Sequence, residues 1–331
     1  MKFFVIGNGF SIDLIKILEK EQLISENSID LVNLFSKGNC FHMPSKNGYL
    51  KHCGRLLEQG ASTDLTNDEA KKLIDKFITS YNVYSKWRVI SSNCTIRMGI
   101  GNQYIELYNE LLYYLKNLFL YYDNLVSNEI LTELIKKDKV PLINTIKCAI
   151  QKREYVKIVT YNYDIFLERL LDIAKIPYQV YGFNRDNTYI TIYKPHGSIS
   201  FDTLPPTHKY NIWDGLLLNI KQLTLVKEPN TEFNLCALIP PYGDANNNKY
   251  NWVNAIRNGI EEIRISNYDE VILFGISYGD IDRPEIDSIL LKIKERTPIS
   301  YINPIPSEQL CFVLKSLFDN YAHYSAMIER N

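Results

Sequence analysis

The N-terminal segment constrains the fold of this chain more than any other feature. Residues 2–6 (KFFVI) form a short apolar run that leads into a glycine turn at 7–11 (GNGFS), and a helix start follows at 12–18. A strand, a glycine turn and a helix in this order form the phosphate cradle of α/β sheets, because glycine lets the backbone approach the ligand and first-turn N–H groups point at its charge. The predicted cradle comprises Gly7, Asn8, Gly9, Phe10 and Ser11.

This loop is a weak signal when it is read alone. The dinucleotide-binding fingerprint has a third glycine three residues after the second, and this chain has Ile12 at that position. A structural turn that binds no ligand explains one such loop equally well. The interpretation depends on further polar segments that follow predicted strands later in the chain.

Strands alternate with helices in the second half of the chain. Short apolar runs predict strands at 156–160, 189–193, 271–275 and 298–302, and helical patterns occur at 164–174, 251–265, 284–295 and 307–319. Such alternation predicts a parallel sheet with helices on both faces. We therefore expect an α/β fold with a Rossmann-like, doubly wound parallel sheet, in which 202–250 is rich in loops.

Residues 21–150 separate the first two predicted strands and have a mostly helical pattern. Helices are predicted at 23–35, 66–82, 103–126 and 129–151, with an irregular segment at 83–102. The apolar stripe of 103–126 is broad, which is typical of a core face, and self-association is the alternative. Because no linker or repeat divides the chain, residues 1–331 are predicted to form one domain with 21–150 as a helical insertion.

Composition and charge exclude several classes of protein. The 331 residues are 46% hydrophobic and 23% charged, and the formal net charge of −1 argues against nucleic-acid binding by overall electrostatics. No apolar stretch reaches the length of about 18 residues that predicts a membrane span. The six cysteines form no C-x-x-C pair, so we expect free thiols in a reducing cytoplasm and no zinc site.

A second polar segment, TYNYD at 160–164, follows the predicted strand at 156–160. Ligands of open α/β sheets bind at the carboxyl ends of the strands, so Thr160, Asn162 and Asp164 are candidate site residues. The Asn162 amide offers a donor and an acceptor that can hold a ribose hydroxyl or a water molecule. The structural alternatives are a helix N-cap for Asp164 and a turn asparagine for Asn162.

A third segment, KPHGS at 194–198, follows another predicted strand. His196 lies between a proline, which restricts the backbone, and a glycine, which permits a turn that exposes the imidazole. Imidazole is the natural proton acceptor near neutral pH, so His196 is the candidate catalytic base. A lone histidine in such a turn is more often structural, and the catalytic interpretation depends on the neighbouring segments.

A fourth segment, FGIS at 274–277, and a final Ile-Asn at 302–303 close two more predicted strands. A glycine–serine turn can approach a phosphate or a ribose, which makes Gly275 and Ser277 candidates for ligand binding. The Asn303 side chain can bind the hydroxyls of a second ribose.

Together, these segments resemble sirtuin-like domains in their order and in their position at strand ends. The resemblance covers roughly 1–20 and 155–320, and it is nearest to the bacterial sirtuin-like NADases of antiphage defence. The protein deacylases of this family carry four zinc-binding cysteines that this chain lacks, which favours cleavage of NAD over deacylation. Asn8 departs from the usual alanine of the glycine loop and is closer to abortive-infection proteins of the AbiH type.

The resemblance assigns roles to most of the candidate residues. Asn162 and His196 would be the catalytic pair. Gly7, Gly9, Phe10 and Ser11 would line the diphosphate and nicotinamide-ribose region. Because the developing charge must be sheltered in a closed pocket, Phe10 and the tyrosines at 161 and 163 are candidates for that role. The residues that would hold the adenosine half are Gly275, Ser277 and Asn303.

The implied function is hydrolysis of NAD to nicotinamide and ADP-ribose by a regulated, NAD-depleting effector of antiphage defence through abortive infection. NAD would be the substrate, with no true cofactor. The resemblance also implies a homo-oligomer or a regulatory partner, either a helicase or other ATPase or an Argonaute-like protein, with 21–150 as the contact surface. Membrane association and direct nucleic-acid binding are not expected.

Two other classes of function stay open at this point. One is a module that senses NAD or ADP-ribose without chemistry, which predicts binding but no release of nicotinamide. The other is an AbiH-like abortive-infection protein that acts on nucleic acid and is indifferent to NAD.

Overall fold

The structure is a computed structural model that describes residues 1–41, 48–90, 102–183, 188–203, 219–229, 237–240, 251–279 and 283–327. Within these ranges, seven strands form one sheet in which all neighbouring strands are parallel, in the order β3-β4-β2-β1-β7-β8-β9. The strands of this sheet are β1 (Lys2–Ile6), β2 (Val156–Thr160), β3 (Tyr178–Val180), β4 (Ile190–Tyr193), β7 (Glu270–Phe274), β8 (Ile299–Ile302) and β9 (Tyr321–Tyr324). A separate antiparallel pair consists of β5 (Phe201–Thr203) and β6 (Leu223–Leu225).

The α-helices of the described ranges lie on both faces of the sheet and within the insertion. They are α1 (Asn8–Lys20), α2 (Gly54–Glu58), α3 (Asn67–Ile90), α4 (Asn102–Leu125), α5 (Asn128–Lys136), α6 (Pro141–Gln151), α7 (Phe166–Ile173), α8 (Asn251–Glu261), α9 (Arg283–Leu290) and α10 (Glu308–Leu317). Successive strand side chains alternate between two cores. Phe4 and Ile6 lie in the core of α1, α7 and the insertion, whereas Phe3 and Val5 lie in the core of α8, α9 and α10. The prediction of a Rossmann-like, doubly wound parallel sheet with a helical insertion is confirmed.

The insertion shares its core with the sheet. Leu111, Tyr114 and Leu118 of α4 are fully buried and belong to the same apolar cluster as Phe4 of β1 and Phe166 of α7. The predicted core face of 103–126 is therefore confirmed. Although α4 is 24 residues long, neither it nor any other helix in the described ranges is long and apolar enough to cross a membrane.

The helix predicted at 23–35 is wrong, because polar side chains replace helical hydrogen bonds there. The Asp30 carboxylate accepts the N–H groups of Val32 and Asn33, and the Asn33 amide oxygen accepts that of Phe35. Asn27 has a φ of 54°, which ends any right-handed helix at that point. Asp and Asn compete for backbone groups in this way, so the segment forms consecutive turns.

Other element boundaries differ from the prediction for local reasons. The predicted helix at 129–151 is two helices, because Asp138 has a φ of 58° and Pro141 begins a new helix. Helix α3 continues to Ile90, beyond the predicted end at 82. The short strands β3, β5, β6 and β9 were missed, and much of the predicted loop region 202–250 lies outside the described residues.

Candidate active site

The predicted site segments follow strands that end at the same edge of the sheet. Ile6, the last residue of β1, pairs in register with Thr160 of β2 and Phe274 of β7, and Phe274 pairs with Ile302 of β8. Strands β1 and β7 are neighbours in the sheet. The next strand along the chain after β1 is β2, which lies on the far side of β1 from β7, and the next strand after β7 is β8, which lies on the far side of β7 from β1. The carboxyl edge at such a switch point is where open α/β sheets bind ligands.

The glycines of the N-terminal turn allow two loops to touch. The Gly9 N–H donates to the Gly275 carbonyl at 3.1 Å, and the Phe10 N–H donates to the Gly7 carbonyl at 3.1 Å. A Cβ on Gly7 would lie 2.6 Å from the Gly275 oxygen, and a Cβ on Gly9 would lie 2.5 Å from Gly275 Cα. Loop packing therefore requires these glycines. The expectation that the first-turn N–H groups point at a ligand is wrong for Gly9 and Phe10, because both bond within the protein.

Asn8 and Phe10 of the same turn serve the packing of the protein. The exposed Asn8 side chain donates to the Leu31 carbonyl at 2.8 Å and ties the turn to the insertion. The Phe10 ring is 3% exposed and packs edge-to-face on Phe274, with ring centroids 5.5 Å apart. The expectation that Phe10 shelters the reacting centre is therefore corrected, because its ring is part of the core.

Ser11, Asn162 and Asp164 form a buried chain of hydrogen bonds, which we call the Asn162 cluster. Ser11 Oγ donates to Asp164 Oδ2 at 2.7 Å, and Asn162 Nδ2 donates to Ser11 Oγ at 2.8 Å. Thr160 supports the turn, since its Oγ1 accepts the Asn162 N–H at 3.3 Å. These four predicted site residues thus meet at the ends of β1 and β2, and all are at most 6% exposed.

The hydrogen-bond directions in this cluster fix the orientation of the Asn162 amide. An ionised Asp164 can only accept, so Ser11 donates to it and must accept from Asn162. The amide nitrogen therefore faces Ser11, and the amide oxygen faces away from it. That oxygen, Oδ1, is buried and has no hydrogen-bond partner in the part of the chain that the structure describes.

Asp164 also stabilises the start of α7, although the N-cap residue of this helix is Ile165 and not Asp164 as the alternative interpretation expected. Its Oδ1 accepts the Phe166 N–H at 3.1 Å. Lys194 Nζ donates to the Asp164 carbonyl at 2.7 Å and forms an ion pair with Glu168 Oε1 at 2.7 Å. Burial raises the pKa of the Asp164 carboxyl from 3.8 to about 6, although the nearby Lys194 and the Ser11 hydroxyl oppose the shift.

His196 lies in a turn that only glycine can complete. Gly197 has a φ of 82°, and a Cβ on it would lie 2.0 Å from the Ala237 carbonyl oxygen. The Ile239 N–H donates to the His196 carbonyl at 2.9 Å, which holds the turn against 237–240. The turn keeps His196 8% exposed at the end of β4, rather than open to solvent.

The imidazole lies among an aromatic ring, a carboxylate and a guanidinium. The Tyr161 ring centroid is 4.9 Å from the His196 ring centroid. Glu285 Oε2 lies 3.4 Å from His196 Nε2, and Glu285 Oε1 lies 2.5 Å from Arg257 Nη2. We call Tyr161, His196, Arg257 and Glu285 the His196 cluster.

The charges of this cluster keep Glu285 ionised. Burial alone would raise the pKa of its carboxyl, but His196 and Arg257 together hold the pKa below its ordinary value of 4.5. The cluster therefore presents a fixed negative charge to the imidazole at neutral pH.

Asn162 and His196 occupy equivalent positions on neighbouring strand ends. Val159 of β2 pairs with Tyr193 of β4, and each candidate residue follows its paired residue by three positions. Their partners lie on opposite faces of the sheet, since Ser11 belongs to α1 whereas Glu285 belongs to α9. The two clusters thus lie at the same edge of the sheet, one towards each face.

The residues predicted for the adenosine half lie on the other side of β1. Gly275 has a φ of 66° and contacts the glycine turn. Asn303 Nδ2 donates to the Ile276 carbonyl at 3.0 Å and to Tyr301 Oη at 3.2 Å, so the amide joins the ends of β7 and β8. Ser277 is exposed. The protein itself therefore binds the Asn303 amide nitrogen, and Ser277 keeps an accessible hydroxyl.

A cavity of about 230 Å³ lies beside α7 and is lined by residues that include Glu168, Arg169, Tyr178 and Leu225. Neither Asn162 nor His196 lines it. We therefore place the candidate site by the strand ends and their hydrogen bonds. In the described ranges, no group of three or more His, Cys, Asp and Glu residues could hold a metal ion.

No protein-family model matches the sequence, and no curated protein matches it significantly. The resemblance to sirtuin-like domains therefore remains a prediction from the motifs.

Sequence reasoning missed Arg257, Glu285 and Glu168. Glu285 offered one usable signal, because it lies in the first turn of the helix after β7 and hence near the carboxyl edge of the sheet. Arg257 lies within α8 and Glu168 within α7, and no local pattern distinguishes them from other helical charges.

Proposed function

We propose that this chain hydrolyses the N-glycosidic bond of NAD and releases nicotinamide and ADP-ribose. The observation that supports this proposal is the buried Asn162 Oδ1, which has no hydrogen-bond partner among the described residues. Asn162 follows the end of β2, and His196 follows the end of the neighbouring strand β4. An unsatisfied buried acceptor costs free energy. A ribose hydroxyl that donates to it would remove this cost and would place the sugar beside the imidazole.

The reaction needs little beyond a positioned water and a proton acceptor. Water oxygen bonds to the anomeric carbon, and the carbon–nitrogen bond breaks as its electron pair passes to the cationic nicotinamide, which leaves neutral. His196 accepts the proton of the water and later releases it to solvent. The Tyr161 ring, 4.9 Å from the imidazole, is the predicted aromatic residue that adjoins His196.

The decisive experiment incubates the purified protein with NAD and measures free nicotinamide. We expect turnover in the wild type and a loss of about 10²–10⁴-fold in His196→Ala, because a positioned base contributes that much. Asn162→Ala should lose activity as well, since it removes the acceptor for the ribose. His52→Ala is the matched control, because His52 is exposed and lies in the insertion.

Full activity in both site variants would refute the assignment of the pair. Tight NAD binding without nicotinamide release by the wild type would instead support a sensing module. Indifference to NAD together with cleavage of nucleic acid would support the AbiH-like alternative.

In the cell, this activity would make the protein an NAD-depleting effector of abortive infection. Such an enzyme must be held inactive until it is triggered. We therefore propose that its activity is controlled by oligomerisation or by a regulatory partner that contacts 21–150. The partner would be an ATPase such as a helicase, or an Argonaute-like protein. This step rests on the resemblance alone. Light scattering and an NAD assay test it, and a monomer that is fully active without any addition would contradict it.

A further inference from the structure

We propose that Glu285 is a positioning residue for His196, with Arg257 holding the Glu285 carboxylate in place. The inference rests on the proposed hydrolysis of NAD with His196 as the base. It adds two residues from α8 and α9 to a site that the sequence had assigned only to strand ends.

The geometry gives each carboxylate oxygen of Glu285 one partner. Oε2 faces His196 Nε2 at 3.4 Å, and Oε1 contacts Arg257 Nη2 at 2.5 Å. The three side chains are between 11% and 19% exposed, so water screens their charges only weakly. A separation of 3.4 Å is within ion-pair range, and a shift of roughly 0.3 Å would make it a hydrogen bond.

This arrangement selects one tautomer of the imidazole. A neutral imidazole has one N–H donor and one acceptor nitrogen. A carboxylate that faces Nε2 favours the tautomer with its proton on Nε2, which leaves the acceptor lone pair on Nδ1. When Nδ1 takes the proton of the attacking water, the imidazolium that forms is stabilised by the same carboxylate. A base oriented by a third group in this way is the arrangement used in nucleophilic triads.

Arg257 makes the carboxylate a reliable orienting group. Its guanidinium binds the oxygen that does not face His196, which fixes the rotation of the carboxylate. His196 and Arg257 together hold the pKa of the Glu285 carboxyl below its ordinary value. The Tyr161 ring also packs on the imidazole, and the ammonium of Lys194, two residues before His196 in the chain, is bound to Glu168.

The first test observes the imidazole directly and does not depend on turnover. Nitrogen-15 NMR of histidine-labelled protein reports the tautomer and the titration of His196, which His196→Gln identifies. We expect the Nε2–H tautomer in the wild type. In Glu285→Gln, we expect a titration midpoint lower by at least about half a pH unit, because the charge that favours the imidazolium is lost.

The second test measures the pH dependence of kcat/KM for NAD. Glu285→Gln should lower kcat/KM about tenfold and move the acidic limb of the profile to lower pH. Glu285→Asp keeps the charge and should return the limb towards its wild-type position. Glu308→Gln is the matched control, because Glu308 is an exposed carboxylate in the first turn of the next helix, α10.

An unchanged His196 tautomer and titration in Glu285→Gln would overturn the inference. A lower kcat/KM without any movement of the acidic limb would also overturn it, because Glu285 would then act on the substrate directly. If the wild type releases no nicotinamide, the proposed function fails, whereas the NMR result still decides whether Glu285 controls the state of His196.

Discussion

The two clusters at the sheet edge handle a buried carboxyl group in opposite ways. In the Asn162 cluster, burial raises the pKa of Asp164 to about 6. In the His196 cluster, His196 and Arg257 outweigh burial and hold the pKa of Glu285 below 4.5. Lys194, the cation that lowers the pKa of Asp164, also pairs with Glu168, whereas both His196 and Arg257 lower the pKa of Glu285.

This difference gives the two clusters separate roles in the proposed site. Environments that move the pKa values of two carboxyl groups apart are typical of sites with separate roles for each group. The Asn162 cluster is a rigid hydrogen-bond chain that presents an amide oxygen to a ligand. The His196 cluster carries the fixed charge that a proton-accepting imidazole needs. Variants that alter one cluster should therefore change different properties from variants of the other.

The largest effect on stability is expected from Lys194→Met. The Lys194 side chain is 0% exposed, and its loss leaves the Glu168 carboxylate, which is 9% exposed, without its cation. Removing one partner of a buried ion pair costs about 3–5 kcal/mol, which urea unfolding at pH 7 measures. Arg257→Met in the other cluster should cost less, because its ion pair is 19% and 16% exposed.

The double variant Lys194→Met/Glu168→Leu is the control for this result. It removes both charges and should recover most of the lost stability. If Lys194→Met lowers the free energy of unfolding no more than Arg257→Met does, the more deeply buried ion pair does not contribute more to stability, and the prediction is wrong.

Asp164→Asn should separate stability from activity. The pKa of Asp164 is about 6 in the folded protein and ordinarily 3.8, so the folded state retains this proton to higher pH and loses stability as the pH rises between these values. The variant lacks this titration. Its free energy of unfolding relative to wild type should therefore rise by up to about 3 kcal/mol between pH 4 and pH 7.

The same variant should lose NAD turnover at neutral pH. Its Oδ1 would keep the Phe166 N–H, so its Nδ2 would donate to Ser11. Ser11 would then donate to Asn162 Oδ1 and reverse the amide, which removes the acceptor proposed for the ribose. Asp319→Asn, at an exposed position, is the control. Wild-type turnover in Asp164→Asn would show that the direction of this chain does not matter.

The smallest expected effect is that of Ser11→Ala. It removes the hydroxyl that joins Asn162 to Asp164 and leaves a buried donor and a buried acceptor unpaired. The cost should be about 1–3 kcal/mol in thermal or urea unfolding. Ser277→Ala is the matched control, because Ser277 is an exposed serine at the same sheet edge. Equal effects of the two substitutions would contradict the bridging role of Ser11.

Prediction from the sequence succeeded where a local run of apolar residues is itself the reason that a buried strand forms. The runs at 2–6 and 156–160 are buried on both faces of the sheet and were predicted correctly. It failed at 23–35, where Asp30 and Asn33 capture backbone groups that an apolar pattern does not reveal. The role of Phe10 was wrong for a similar reason, since an aromatic residue beside a glycine turn can face a ligand or the core.

The sequence by itself determined which residues follow the parallel strands, and it thereby predicted the edge at which Asn162 and His196 lie. The reason is that strand ends follow from patterns over a few consecutive residues, and the parallel direction follows from the alternation of strands with helices along the chain. Only the tertiary structure decided that Asn162 is bound by α1 and that His196 is paired with Glu285 of α9. Such contacts depend on how whole helices pack on the two faces of the sheet, and short-range periodicity does not encode them.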